Sequence, residues 1–282
     1  MTTYTGDDMA TKRFEGRVAA VTGGGSGIGA AICRRLGEEG AIVAALDLSV
    51  DRAQKVIANL PGGAAVHADM SDSASVEEAL SQVESELGPL AIMVNNAGAL
   101  AMSHVARVKP LIERQQAEQR EDGVIRTPLE ALVRLTDEEW RFVMSVHLDG
   151  TFYGTRAAVK RMAPRGAGAI VNMASICGIE GCTGHPHYSA AKAGVLGFTR
   201  ATAKEVIVQG IRVNAVAPGF IDTTRTKAEV GVAREVNVQR TPIGRLGTPE
   251  EIAATVAFLV SDDAAFFVGA TVSPNGGLVT AV

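Results

Sequence analysis

In the stretch HYSAAKAG, residues 187–194, Tyr188 precedes Lys192 by four positions. On a helix that spacing puts both side chains on one face. A free phenol has a pKa of about 10 and is a poor base at neutral pH. An ammonium beside it favours the phenolate and lowers that value. A tyrosine so placed can give and take a proton during a reaction. The surrounding Ala and Gly leave room for a ligand. Ser175, thirteen residues upstream at the end of the apolar run GAIVNMAS, could hydrogen-bond a carbonyl or alcohol oxygen held near the phenol. A Tyr–Lys pair taken alone is commonplace, and surface packing is its default explanation.

A competing chemistry lies in the same region. CGIEGCTGHPH holds Cys177, Cys182, His185 and His187 within eleven residues. The four could be metal ligands, but their joint spacing differs from the usual zinc patterns. No metal is expected, and these side chains are read as lining a pocket or packing around it. The chain has three cysteines, and an odd count in a reducing compartment argues against a disulfide framework. Cys33, among Ala31, Ile32 and Leu36, reads as a small buried apolar side chain.

A second chemical feature is VTGGGSGIGAAIC. Thr22 ends an apolar run, and Gly23, Gly27 and Gly29, with Ser26 and Ile28 between them, open a helical pattern. Glycines there allow a tight turn and a close backbone approach to a ligand. The helix N-terminus offers free N–H groups and partial positive charge to a pyrophosphate. The strand-before, helix-after context is the condition that makes this turn a dinucleotide site. Asp47 ends the next apolar run, 18 residues past Gly29. A carboxylate there accepts from ribose hydroxyls and repels a 2′-phosphate. With Leu48 next to it and Ser26 in the turn, no nearby Arg or Lys is expected to attract that phosphate. This favours NAD over NADP. Asp69, after the third run, could reach the adenine edge or cap the helix that follows.

These residues need a scaffold that brings them together. The runs RVAAVTG, AIVAALD, AAVHAD, LAIMVNNAG, GAIVNMAS, IRVNAVAPG and ATVSPNGG read as strands. Between them lie helical patterns, such as Ile28, Ile32 and Leu36, or Val76, Leu80, Val83 and Leu87, on one face. Strand–helix alternation of this kind indicates a parallel sheet covered on both faces, a three-layer α/β/α arrangement. Ligands of such sheets sit beyond the carboxyl ends of the strands. Ser175, NNAG (Asn95, Ala97 and Gly98 among it) and APG (with Pro218 and Gly219) all fall at that edge.

With 282 residues and a 46% apolar composition, one large α/β domain can bury a full core. A polar tail is expected over residues 1–13 and a single domain over 14–282. The net charge is −4, with no basic block, so nucleic acid is not an expected partner. No apolar run approaches the roughly 20 residues of a membrane helix. The N-terminus lacks the apolar centre of a secretory signal, so a cytoplasmic location is expected. Residues 101–127 break the rhythm with a charged stretch, in which PLIERQQAEQRED suggests a short exposed helix after Pro110. It reads either as a solvated insertion or as a pocket lid or oligomer contact.

In order along the chain, TGGGSGIG, NNAG, Ser175, YSAAK, PGFIDT and NGG closely resemble the short-chain dehydrogenase/reductase family over residues 14–282, apart from the insertion. The resemblance implies a Rossmann-type, doubly wound sheet of seven strands and hydride transfer between a nicotinamide and a carbonyl or alcohol. It implies Tyr188 as acid/base, Lys192 lowering its pKa and binding the nicotinamide ribose, and Ser175 positioning the substrate oxygen. Asn95 would support the scaffold, and Ile221 and Thr223 would approach the nicotinamide. A homotetramer or homodimer is the expected assembly.

Two departures stand out. His147, in VMSVHLDGTFYGT, occupies a position where the family usually has an Asn that helps hold a proton-relaying water. Neutral imidazole is both donor and acceptor, so His147 is read as taking over that relay. Asn275 stands where many relatives have Asp, with packing rather than chemistry as the expected consequence. The resulting expectation is an NAD(H)-dependent oxidoreductase acting on a small secondary alcohol or ketone. A 3-oxoacyl-thioester reductase is the alternative, and a non-catalytic dinucleotide sensor or scaffold is the alternative of another class.

Overall fold

The computed structural model describes residues 12–223 and 232–280. Seven parallel strands form one sheet: β1 (Val18–Thr22), β2 (Ile42–Asp47), β3 (Gly63–His67), β4 (Leu90–Asn95), β5 (Gly168–Met173), β6 (Ile211–Val216) and β7 (Thr271–Val272). Their order is β3-β2-β1-β4-β5-β6-β7. The order reverses between β1 and β4, so the crevice beyond the carboxyl ends of these two strands is the ligand position of a doubly wound sheet. The three-layer Rossmann-type architecture is the one expected from the alternating pattern.

Side-chain alternation builds the two interior layers. Ala19, Val21, Val43 and Val171 point to one side, against Ile32 and Leu36 of α1 (Gly27–Glu38) and Ile252 and Val256 of a helix spanning Pro249–Val260. Val18, Ala20, Leu46 and Met93 point to the other, against α3 (Ser73–Leu87), while α2 (Val50–Ile57) packs on the α1 side through Ala53, Val56 and Ile57. Leu80 of α3 is fully buried there, worth roughly 2 kcal/mol by area transferred from water. Asp72 caps α3, accepting from Ala74 N–H at 2.9 Å.

The 101–127 segment departs from expectation. α4 spans Met102–Glu121, so Pro110 lies inside the helix rather than ahead of it. Proline removes one backbone donor and strains the preceding turn, yet the helix persists because packing holds its first turns. His104 and Val108 are buried, four residues apart on one face. At the far end, Glu118 accepts from the N–H groups of Arg126 and Thr127 and folds the exit segment back onto the helix. α5 (Asp137–Met144) follows, opened by a capping box between Thr136 and Glu139. A π-turn over Ser145–Asp149 leads without interruption into α6 (Gly150–Met162). α7 covers Pro186–Val206, α8 Val232–Arg240, and α9 is the Pro249–Val260 helix.

Most of the tail expected over 1–13 lies outside the described residues. Arg13, at its end, is anchored: its Nε donates to Glu39 Oε2 at 2.6 Å, beside the fully buried Phe14.

Candidate active site

β1 delivers Thr22 to the switch crevice, where the Thr22 hydroxyl accepts from the N–H groups of Asn96 and Ala97, both at 2.9 Å. Thr22 thus holds the NNAG loop against the glycine turn. That turn needs glycine for a specific reason: a Cβ at Gly29 would sit 2.1 Å from Gly23 O. Gly27 has φ +52, and the nearest side chain a Cβ there would meet is Thr223, at 3.7 Å. The segment after β6 therefore lies over the glycine turn. Ser26 is the N-cap of α1 without a side-chain cap bond, so the turn presents backbone donors. This cradle fits a pyrophosphate.

Asp47 ends β2 and is buried. It accepts from Gly25 N–H (3.1 Å) and Ser49 N–H (2.9 Å), and Arg52 Nη2 lies 2.9 Å from its Oδ1. The cap of α2 is Ser49, not Asp47. The expectation that no cation stands near Asp47 is corrected: Arg52 does, one turn into α2, a distance along the chain that helix geometry closes. Asp69 does not cap α3; its carboxylate accepts from Ser71 N–H and Oγ.

Asn95 is buried at the end of β4 and donates to Thr155 Oγ1 (3.0 Å) and Asn172 Oδ1 (2.8 Å), tying β4, α6 and β5 together. Gly98 passes close to His147: a Cβ on Gly98 would lie 2.5 Å from His147 Cε1. His147 sits buried in the π-turn, an insertion type frequent at functional sites. Its Nε2 is 2.8 Å from Ala99 O and 3.2 Å from Ala99 N. One nitrogen serves one role at a time, and the shorter contact assigns Nε2–H as donor to the carbonyl. The ring stands edge-on to Tyr188, with centroids 5.2 Å apart.

Tyr188 and Lys192 lie in the first two turns of α7. Lys192 is buried, donates from Nζ to Met173 O at 2.6 Å, and places that Nζ 5.8 Å from the Tyr188 ring centroid. Ser175, just past β5, starts the 3-10 turn Ile176–Gly178, its Oγ accepting from Cys177 N–H. Pro218 is adjacent, its carbonyl accepting from Ile176 N–H at 3.1 Å. Gly219 packs on the backbone of Asn275, whose side chain organises the turn through Ser273, Gly277 and Val279. Ile221 bridges to Gly247. Residues 224–231, which follow Thr223, lie outside the described residues.

The cysteine expectation is overturned: Cys177 and Cys182 form a disulfide. The 3-10 turn after Ser175 and the turn behind it bring their Cα atoms to 4.9 Å, within bonding reach. Cys33 is the buried thiol, which burial pushes up to about 12. Among the described residues, no group of three or more His, Cys, Asp or Glu side chains is placed to hold a metal ion.

Sequence reasoning missed three residues. Arg52 was legible as a first-turn position of α2. His104 was legible in its four-residue spacing from Val108. Glu139 was legible in the Thr136–Glu139 capping box. Glu139 is the hub of a network: Arg107 and Ser103 both donate to its carboxylate. Burial pushes its carboxyl up, but the Arg107 and Ser103 hydrogen bonds outweigh this and hold it down at about 2.

With this geometry in place, a family model described as short chain dehydrogenase matches residues 17–232, more than half of the chain. The chain belongs to the short-chain dehydrogenase family and is an oxidoreductase that uses a nicotinamide dinucleotide. Among its relatives is the 3-oxoacyl-(acyl-carrier-protein) reductase FabG of Pseudomonas aeruginosa, 40% identical over 94% of this chain and 98% of the relative. The acetoacetyl-CoA reductase of Rhizobium meliloti is also 40% identical, over 93% of this chain and 98% of the relative. The FabG of Thermotoga maritima is 37% identical over 95% and 99%. No helix among the described residues is long and apolar enough to cross a membrane.

Proposed function

We propose that this chain interconverts a ketone and a secondary alcohol with NAD(H), with Tyr188 as the acid/base. The observation that carries this reading is the buried Lys192 ammonium 5.8 Å from the Tyr188 ring centroid, with Ser175 at the end of the neighbouring strand. The nicotinamide, when bound, supplies or accepts the hydride. The Ser175 and Tyr188 hydroxyls hydrogen-bond the substrate oxygen. Tyr188 gives that oxygen a proton on reduction and takes it back on oxidation. Lys192, fixed by Met173 O, favours the phenolate, an effect that burial strengthens, and donates to the nicotinamide ribose. His147, beside Tyr188, serves the proton relay. The turn from Thr22 through Gly23, Ser26, Gly27, Ile28 and Gly29 holds the pyrophosphate. Asp47 takes the adenosine ribose, with Asp69 near the adenine. Ala97, Gly98, Pro218, Gly219, Ile221 and Thr223 line the nicotinamide end, supported by Asn95.

NAD is the proposed cofactor because Asp47 puts a buried carboxylate where a 2′-phosphate would need a cation. Arg52 opposes this, but its side chain is mostly exposed, and an exposed arm partnering one carboxylate contributes little. For the substrate, a 3-oxoacyl thioester is the favoured class, supported by relatives named for 3-oxoacyl and acetoacetyl thioesters at 40% identity. The same reading includes a homo-oligomer, supported by exposed Phe142 and Phe152 on α5 and α6 and Phe266 after α9. It also includes a cytoplasmic location, in which a reducing environment would keep Cys177 and Cys182 as thiols until the protein meets an oxidant.

The test is reduction of acetoacetyl-CoA with NADH and NADPH compared side by side by nicotinamide absorbance. Turnover with NADH is expected to exceed that with NADPH. Tyr188→Phe should lower turnover by about 10²–10⁴ while retaining dinucleotide binding. Unchanged turnover in that variant would end the acid/base assignment, and a strong NADPH preference would end the reading of Asp47.

A further inference from the structure

The loop between Ser175 and Tyr188 forms the substrate side of the proposed site, and the inserted helix α4 reaches it. The loop is closed internally by Cys177–Cys182 and tied to α7 by Cys182 N–H donating to Ser189 Oγ at 2.9 Å. Its tip is tied to α4: His104 Nε2 lies 2.8 Å from Gly184 O, across 80 residues of chain. Nε2 facing a carbonyl is the protonated nitrogen, so His104 donates.

His104 has no exposed surface. Its ring packs edge-on to His187 with centroids 4.7 Å apart, and to His185 at 5.9 Å. His187 immediately precedes Tyr188. On its other side His104 Nδ1 faces Glu139 Oε2 at 4.0 Å, and Glu139 is held by Ser103, Arg107 and the Thr136 N–H. A Cβ on Gly184 would lie 3.1 Å from Val108 and 3.3 Å from Ile112, so the loop backbone is pressed against the helix face. Burial and the neighbouring imidazoles pull the His187 ring down to about 4, so it is neutral at neutral pH and adds no competing charge beside Tyr188.

We propose that His104 is a positioning residue: by donating to Gly184 O it fixes the substrate-side loop, so that the inserted helix α4 sets how the carbonyl substrate is held. The proposal rests on the substrate reading given above for its kinetic readout, but the latch itself does not. Losing the donor leaves a part-buried carbonyl without this bond, and the loop trades its fixed position for others. The pyrophosphate and adenosine cradle is built on other elements, β1, β2 and α1.

The pair His104→Gln and His104→Asn tests it. Both are neutral amides, but Gln places its amide near the Nε2 position and Asn near Nδ1, so only Gln can reach Gly184 O. Two measurements are made on each full-length protein: KM and kcat with acetoacetyl-CoA and dinucleotide, and hydrogen exchange of residues 178–187. His104→Asn is expected to raise KM for acetoacetyl-CoA about tenfold, with kcat and dinucleotide KM within about threefold, and to speed loop exchange. His104→Gln is expected to stay within about twofold of the parent in KM and to keep the loop protected. Equal behaviour of the two variants, whether both parental or both impaired, would overturn the proposal. If the parent does not turn over acetoacetyl-CoA, the substrate reading fails, and the exchange difference between the two variants still decides the latch.

Discussion

Lys192 shows how much a single side chain can require. A buried ammonium is costly unless its donors are met, and Met173 O at 2.6 Å meets one of them from the end of the strand that Ser175 closely follows. The same bond fixes where the charge stands relative to Tyr188. The four-residue spacing made the Tyr–Lys pair legible in the sequence, since helix geometry turns spacing into proximity. The first-turn place of Arg52 was legible but its pairing with Asp47 was not, because Asp47 lies on a strand and the cap at Ser49 decides how α2 starts. His147 is the residue on which the relay reading is tested. His147→Ala should lower turnover about tenfold or more, and His147→Asn should recover most of it, read as kcat across a pH profile. Equal turnover in all three proteins would remove the relay.

At the scale of elements, α4 is the part that spacing described least well. Pro110 suggested a helix start, whereas the start is eight residues earlier because His104 and Val108 are packed. Propensity yields to burial in that contest. The clamp that holds α4 is acid-sensitive in a stated direction. The Glu139 carboxyl lies near 2 in the folded protein, against an ordinary value of 4.5. A depressed folded value means that its contribution is fully present above about 4.5 and is lost as pH falls toward 2. Trp140, the single tryptophan of the chain, adjoins Glu139. Its fluorescence should change in that window, and Glu139→Gln should abolish this component at all pH values. The disulfide gives a second element-level expectation. Titration of the unfolded, unreduced protein should find one free thiol, Cys33. Reduction by a dithiol should lower stability by up to about 2 kcal/mol, as expected for a short closed loop, measured as a fall in Tm.

At the scale of the whole molecule, aromatic and aliphatic side chains remain on the outside: Phe266 is fully exposed, and Phe142, Phe152 and Val268 are substantially so. Apolar surface of that kind is what assembly covers. Light scattering of the purified chain should give a mass that is a whole multiple, two or four, of the chain mass. A monomer at micromolar concentration would contradict the homo-oligomer.

The sheet was readable from the linear chain because buried parallel strands are short, apolar and punctuated, and each signal is local. The glycine turn and the Tyr–Lys pair were readable for the same reason. What brought Asn95 to Asn172, Arg52 to Asp47, His104 to Gly184 and Cys177 to Cys182 was chain crossing or loop closure. None of these pairings leaves a periodic mark in sequence: Asn95–Asn172 and His104–Gly184 depend on where two separately legible elements come to rest against one another, and Arg52–Asp47 and Cys177–Cys182 on how a turn closes.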